Sequence, residues 1–279
     1  MVGTVDWTDV AAAWDARRNH IEQSKQPTTR ALLVALRPQL GERVLEIGAG
    51  TGELARLLAD AVGPEGSVLA TDPATGMVEV ARRTLAGMAQ ASVARCEGSD
   101  TGLADDSVDL VVSRMALMFD PEPAKSVQEA RRVLAPGGRF AAAVWAGPQH
   151  NPWIATVGMS AMFAGALQGG PPVGPGEVFS LADQAQLLAL LDEAGFAETS
   201  VQEVAVTFAF ATTDEHFDSV SQLAPPLARA ISTASEDIRA AVRRMAAEAD
   251  QPYRADDGFV FPGLALVVSG VRPDVPRAS

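Results

Sequence analysis

Residues 44–52 read Val-Leu-Glu-Ile-Gly-Ala-Gly-Thr-Gly, an apolar run carrying one acid and ending in three glycines spaced two apart. A glycine turn after a strand lets the backbone close on a phosphate or a nucleoside. The flanking residues separate the ligand classes. A nucleoside-triphosphate loop needs a lysine after its last glycine, and Glu53 stands there instead. A dinucleotide turn uses its third glycine to pack a helix beneath a pyrophosphate. Gly48 and Gly50 fit that pattern, but the third position is Glu53, an anion beside the place of a diphosphate. The third glycine falls at Gly52, in a turn that admits a close ligand without calling for phosphate.

Asp72 closes the next apolar run, twenty residues after Gly52. A carboxylate there accepts hydrogen bonds from both hydroxyls of a ribose. Glu46 adds a negative charge suited to a ligand bearing an ammonium or a sulfonium. The pattern points to a nucleoside without phosphates. For acid–base work the chain has three histidines, His20, His150 and His216. His150 follows the fifth strand segment, at the sheet edge where open α/β folds bind ligands, and is the candidate base. A single cysteine, Cys96, excludes an internal disulfide and a multi-cysteine metal site, so no metal is expected.

These residues need a frame, and the hydrophobic pattern supplies one. Helical spacing over 6–37, with Pro27 restarting a second segment, precedes a strand at 43–47. Helix and strand then alternate: helix 54–62, strand 67–71, helix 75–88, strand 92–95 and strand 108–113. Asp120-Pro121 is expected to open the next helix, and residues 139–145 form the fifth strand. Such alternation implies a mostly parallel sheet covered on both faces. From residue 147 the rhythm changes to a Gly/Pro-rich segment around a short helix. Ser180 is expected to cap a helix closed by Gly195, followed by a strand at 199–210, helices over 212–250 and a last strand at 259–270.

Composition narrows the partners. The net charge is −13, with no dense basic cluster, so nucleic acid and anionic membranes would be repelled. The acidic start lacks the pattern of a signal peptide, and no apolar run reaches the roughly 20 residues that span a bilayer. A cytoplasmic protein, monomer or homodimer, acting on a small molecule is expected.

The segments 44–55 (VLEIGAGTGELA), 71–83 (TDPATGMVEVARR), 103–119 (LADDSVDLVVSRMALMF) and 133–145 (VLAPGGRFAAAVW) resemble, in that order, class I S-adenosylmethionine-dependent methyltransferases. The likeness is greatest to their small-molecule branch of quinone-biosynthesis and natural-product enzymes. It implies a Rossmann-like, doubly wound α/β sheet of seven strands with the last antiparallel, plus helical lid insertions. As one methyltransferase domain, 1–279 would divide into N-terminal helices (1–40), a cofactor core (41–146), substrate-covering insertions (147–180 and 211–257) and sheet completion (181–210 and 258–270). The cofactor would be S-adenosyl-L-methionine, leaving as S-adenosyl-L-homocysteine. Gly48, Ala49 and Gly50 would line its methionine portion with Glu46 behind and Gly52 completing the turn, and Asp72 would hold the ribose. Pro73 and Met77 would pack on the adenine. The acid on the adenine amino group would be Glu97, with Gly98 beside it and Asp100 as rival, and Ser113 and Arg114 would flank the methionine part.

Methyl transfer from a sulfonium is an in-line displacement with a neutral leaving group, so positioning supplies much of the acceleration. Trp14, Met115, Met118, Phe119, Trp145 and Trp153 are candidates for an apolar acceptor pocket. The alternative is a protein of the same fold that binds the cofactor but catalyses another reaction, such as a cyclisation, or only binds ligand. A nicotinamide oxidoreductase fits less well, because Glu53 replaces the third glycine.

Overall fold

The computed structural model describes residues 7–170 and 172–274. Short helix α1 (Ala11–Ala16) leads into α2 (Arg18–Leu36), and β1 (Arg43–Ile47) follows. Helix α2 runs unbroken through Pro27, and the break in the N-terminal helices falls at Arg17. Proline inside a helix forfeits a hydrogen bond and costs about 3 kcal/mol. Thr28, Thr29, Leu32 and Leu36, all buried on the same helix, offset that cost by packing on the interior.

Then come α3 (Glu53–Val62), β2 (Ser67–Thr71), α4 (Thr75–Thr84), β3 (Ala91–Ala94), β4 (Val108–Arg114), α5 (Pro123–Val133) and β5 (Leu134–Trp145). Helix α5 starts two residues later than Asp120-Pro121 suggested. Asp120 instead folds a turn of its own, accepting from the Glu122 amide at 2.8 Å and from the Ser126 hydroxyl. Downstream lie α6 (Pro152–Phe163), α7 (Gln184–Glu193), β6 (Ala197–Phe210), α8 (Thr213–Leu223), α9 (Pro225–Thr233), α10 (Glu236–Ala249), β7 (Arg254–Ala255) and β8 (Gly258–Val271). Asp183 caps α7 by accepting from the Gln186 amide at 3.0 Å. Ser180, expected in that place, donates to the Met118 carbonyl at 2.6 Å instead.

The sheet runs β3-β2-β1-β4-β5-β8-β6, with the two-residue β7 beside β8. β8 is antiparallel to both β5 and β6, while the remaining main-path pairs are parallel. The order in which strands are added reverses between the parallel β1 and β4, the switch point at whose carboxyl ends open α/β sheets have their crevice.

The two expected insertions pack as one cap. Val157 and Ala161 from α6 share a small core with Phe217, Val220, Leu227, Val242 and Ala246 from α8, α9 and α10. His216 ties it together: its Nδ1 lies 2.8 Å from Asp250 Oδ2 and its Nε2 donates to the Trp153 carbonyl at 2.5 Å. Buried Asn151 joins the cap to the sheet, donating to the Ala146 and Leu264 carbonyls and accepting from the Leu264 amide. Among the described residues no helix is long and apolar enough to cross a membrane.

Candidate functional site

The glycine turn lies over the carboxyl end of β1. Gly48, Gly50 and Gly52 all have left-handed φ, at 71°, 55° and 85°. At Gly48 a Cβ would stand 2.2 Å from that of Ala116, so no other residue fits this approach. The turn is tethered to β2. The Ala49 amide donates to the Thr71 carbonyl at 2.8 Å, and the Gly50 amide to Asp72 Oδ2 at 2.9 Å. Asp72 Oδ1 accepts from the Ala74 amide, also at 2.9 Å. One carboxylate thus fixes the turn and still has lone pairs to offer a ligand. Burial raises the Asp72 pKa, partly countered by those amides, and the charge of Glu97 raises it further.

Glu97 is the loop acid whose charge is felt at Asp72. Both Glu97 and its rival Asp100 are exposed and share one turn, with the Asp100 amide donating to the Glu97 carbonyl at 3.2 Å. Gly98 faces Ile47 and Ser126, where a Cβ would meet Ile47 Cγ2 at 2.7 Å. Pro73 is exposed, and its carbonyl accepts from Arg95 Nε at 2.9 Å. Met77 is buried under the N-terminal helices, clustered with Val10, Ala11, Trp7 and Trp14.

Glu46 is 1% exposed and its Oε2 has no partner among the described residues. Burial pushes its carboxyl up to about 8, against the pull of Arg114. Ser113, at the end of β4, is buried with its Oγ equally unpartnered. Arg114 grips Glu22 through both guanidinium nitrogens at 2.7 Å and also donates to Thr29 Oγ1 at 2.7 Å. Helix α2 is thereby pinned across the end of β4.

Glu22, Lys25 and Thr29 are the residues that the sequence reading missed. Their spacing of three, then four, lays a polar stripe along one face of a helix. A stripe facing inward marks a site, but the same spacing on a surface helix marks only solvent. Glu53 also reads differently in three dimensions. It is buried and accepts from Arg18 at 3.2 Å and from Arg56 at 3.5 Å, so its charge is paired. The electrostatic objection to a diphosphate is weaker than the sequence suggested.

The pocket candidates separate. Met118 and Trp145 are buried in the main core, and Trp153 stacks on Phe208 at 4.0 Å. Met115 follows β4 directly, buried, with φ at 60°. Trp14 and Phe119 both pack edge-on against Trp7, at 6.1 and 4.7 Å. His150 sits exposed on a turn after β5, and its imidazole makes no hydrogen bond among the described residues. His20, on α2, has a buried Nε2 without a partner there.

A family model described as a methyltransferase domain matches residues 45–142. That stretch of the chain is similar to a methyltransferase domain. A demethylmenaquinone methyltransferase of Clavibacter sepedonicus is 37% identical over 133 residues, covering 47% of this chain and 53% of the relative. The chain spans about half the length of the curated relatives it matches, or less. Among solved structures, a Haemonchus contortus phosphoethanolamine N-methyltransferase, in complex with S-adenosylhomocysteine, has a TM-score of 0.59 at 20% identity. The match covers 94% of this chain and 57% of that one. The [4+2]-cyclase SpnF has a TM-score of 0.57 at 18% identity, covering 96% of each chain. At such identities these two structures speak for the fold alone. It is the class I methyltransferase fold, with its antiparallel strand in place.

Proposed function

We propose that this chain transfers a methyl group from S-adenosyl-L-methionine to a small, fairly apolar molecule. The observation that carries the reading is the Asp72 tether, which holds Gly50 after the carboxyl end of β1, and in this reading the same carboxylate accepts from a ribose. Gly50 has open space where a Cβ would stand, and in this reading the nucleoside lies against the Gly48–Gly50 backbone. Glu97 takes the adenine amino group in this reading, beside Gly98, Pro73 and Met77. Glu46 and Ser113, with unpartnered buried oxygens, face the charged methionine end together with Arg114.

In this mechanism the chain orients rather than activates. The turn and Asp72 fix the nucleoside, α2 closes the cofactor side, and the cap excludes water above the transfer axis. Holding sulfonium and nucleophile in line is worth up to roughly 7–11 kcal/mol in favourable cases. Where the acceptor must lose a proton, His150 is the proposed base, with an imidazole unpaired on its turn. Trp14, Met115 and Phe119 border the acceptor, while Met118, Trp145 and Trp153 form its backing. The protein is proposed to act in the cytoplasm, as a monomer or homodimer, without nucleic acid or membrane partners.

Incubation with methyl-labelled cofactor and a panel of phenols, quinols, amines and carboxylic acids tests the reading. Label entering an acceptor supports it. Cofactor bound but never consumed across the panel favours the second reading, a ligand-binding or cyclising protein, which the SpnF fold illustrates.

A further inference from the structure

Helix α2 turns an ionic residue inward that the mechanism above leaves unused. Lys25 is 9% exposed, and its Nζ stands 4.6 Å from the centroid of the Trp14 ring. A buried ammonium loses its hydration and calls for an acceptor or a counter-ion. Among the described residues no carboxylate oxygen lies within 4.0 Å of it. The two acids that share its field are committed elsewhere. Both Glu22 oxygens accept from Arg114. Glu46 is held largely protonated near neutral pH by its burial. Burial and the nearby Arg114 charge push Lys25 itself down to about 8.

The charge balance follows from these pairings. Arg114 and Glu22 cancel. A sulfonium cofactor brings a further positive charge, and Glu46 is the acid that ionises to meet it. Lys25 is left uncompensated. Trp14 also fixes where this ammonium sits, because its Nε1 donates to the Leu223 carbonyl of the cap at 2.9 Å. The Lys25–Trp14 pair therefore stands where the N-terminal helices meet the acceptor cover. On the same helix, Thr28, three residues on from Lys25 and so its neighbour on the helix surface, has a buried Oγ1 without a partner.

We propose that Lys25 is the counter-ion for an anionic oxygen carried by the methyl acceptor, a carboxylate or phenolate on an apolar body, with the Trp14 ring beside it. The inference rests on the methyl-transfer reading and narrows its substrate class. A specificity-determining lysine of this kind binds the acceptor and leaves cofactor affinity alone.

The test titrates benzoate, salicylate and 1-naphthoate, with benzamide and 1-naphthamide as uncharged controls. Each is added to protein alone and to protein saturated with S-adenosylhomocysteine, for wild type, Lys25→Met and Lys25→Arg. The wild type should bind at least one acid about tenfold more tightly than its amide. That comparison needs no variant. Lys25→Met should lose the preference and Lys25→Arg keep it, with affinity for S-adenosylhomocysteine held within about threefold in both. Acids bound no better than amides, or an undiminished preference in Lys25→Met, overturns the proposal. So does a Lys25→Met protein that weakens S-adenosylhomocysteine but not 5′-methylthioadenosine, because Lys25 would then serve the cofactor's own carboxylate. If wild type binds no S-adenosylhomocysteine, the methyl-transfer reading falls, while the acid–amide comparison without cofactor still decides Lys25.

Discussion

Arg114 and Glu22 close on each other through two hydrogen bonds of 2.7 Å, joining the end of β4 to a helix ninety-two positions earlier in the chain. The pair is largely buried, at 5% and 22% side-chain exposure. It makes the N-terminal helices part of the site rather than a decoration on it.

Breaking that pair from one side strands a charge in the interior. Glu22→Gln should lower unfolding stability by about 3 kcal/mol, the range for a buried ion pair losing one partner. A thermal melt should fall by several degrees, and hydrogen exchange should quicken over 18–36 before it does over β4. Replacing both residues by a matched apolar pair should restore much of the loss.

Asp72 does two jobs, and its amide isostere should separate them. Asp72→Asn keeps one acceptor oxygen and loses the charge, so one of the amides of Gly50 and Ala74 goes unmet. Stability should fall by about 1–2 kcal/mol. Affinity for S-adenosylhomocysteine should fall by about tenfold or more, because the ribose loses its acceptor. Calorimetric titration of both proteins checks it. Equal affinities would remove Asp72 from the ligand.

Glu46 predicts a proton. Its folded pKa of about 8 lies above the ordinary 4.5, so between those values the folded state holds more protons than the unfolded one. Stability then falls as pH rises through that window. The Glu46 penalty is absent below the window and complete above it, and Glu46→Gln should flatten the slope. A cationic cofactor favours the ionised carboxylate, so binding near neutral pH should release close to one proton. Titrations in two buffers of different ionisation enthalpy measure that release.

Gly48→Ala tests the close approach at the turn. The added methyl meets Ala116 at 2.2 Å and the residue keeps a left-handed φ of 71°. The expected cost is about 2–3 kcal/mol, with cofactor binding lost at concentrations that saturate the wild type. Melting and titration of the same sample read both.

The parts that were legible in the sequence are those fixed by local chemistry. Strands β1, β2 and β4 lie buried in a parallel sheet, so their residues form continuous apolar runs with sharp ends. The glycine turn and Asp72 are equally local, because left-handed φ and a strand-end acid leave a mark on residue type. Helix starts were less legible. Asp120 and Ser180 look like caps, but each spends its side chain on a neighbouring segment, and position alone does not reveal that. Pro27 misled for the opposite reason, since packing of α2 on the sheet outweighs its local penalty. The Glu22–Arg114–Lys25 cluster was invisible because its members meet only after α2 folds over the sheet. His216, one of the three histidines weighed for acid–base work, is a buried strut of the cap.

The central claim is that the turn, Asp72 and Glu46 form a site for a sulfonium nucleoside. Isothermal titration of the protein with S-adenosylmethionine and S-adenosylhomocysteine tests it most directly. Saturable binding of both at one site per chain, weakened by Asp72→Asn and absent for nicotinamide dinucleotides, is the predicted result. No heat from either ligand up to about millimolar concentration, where a Kd corresponds to only about 4 kcal/mol, would contradict it.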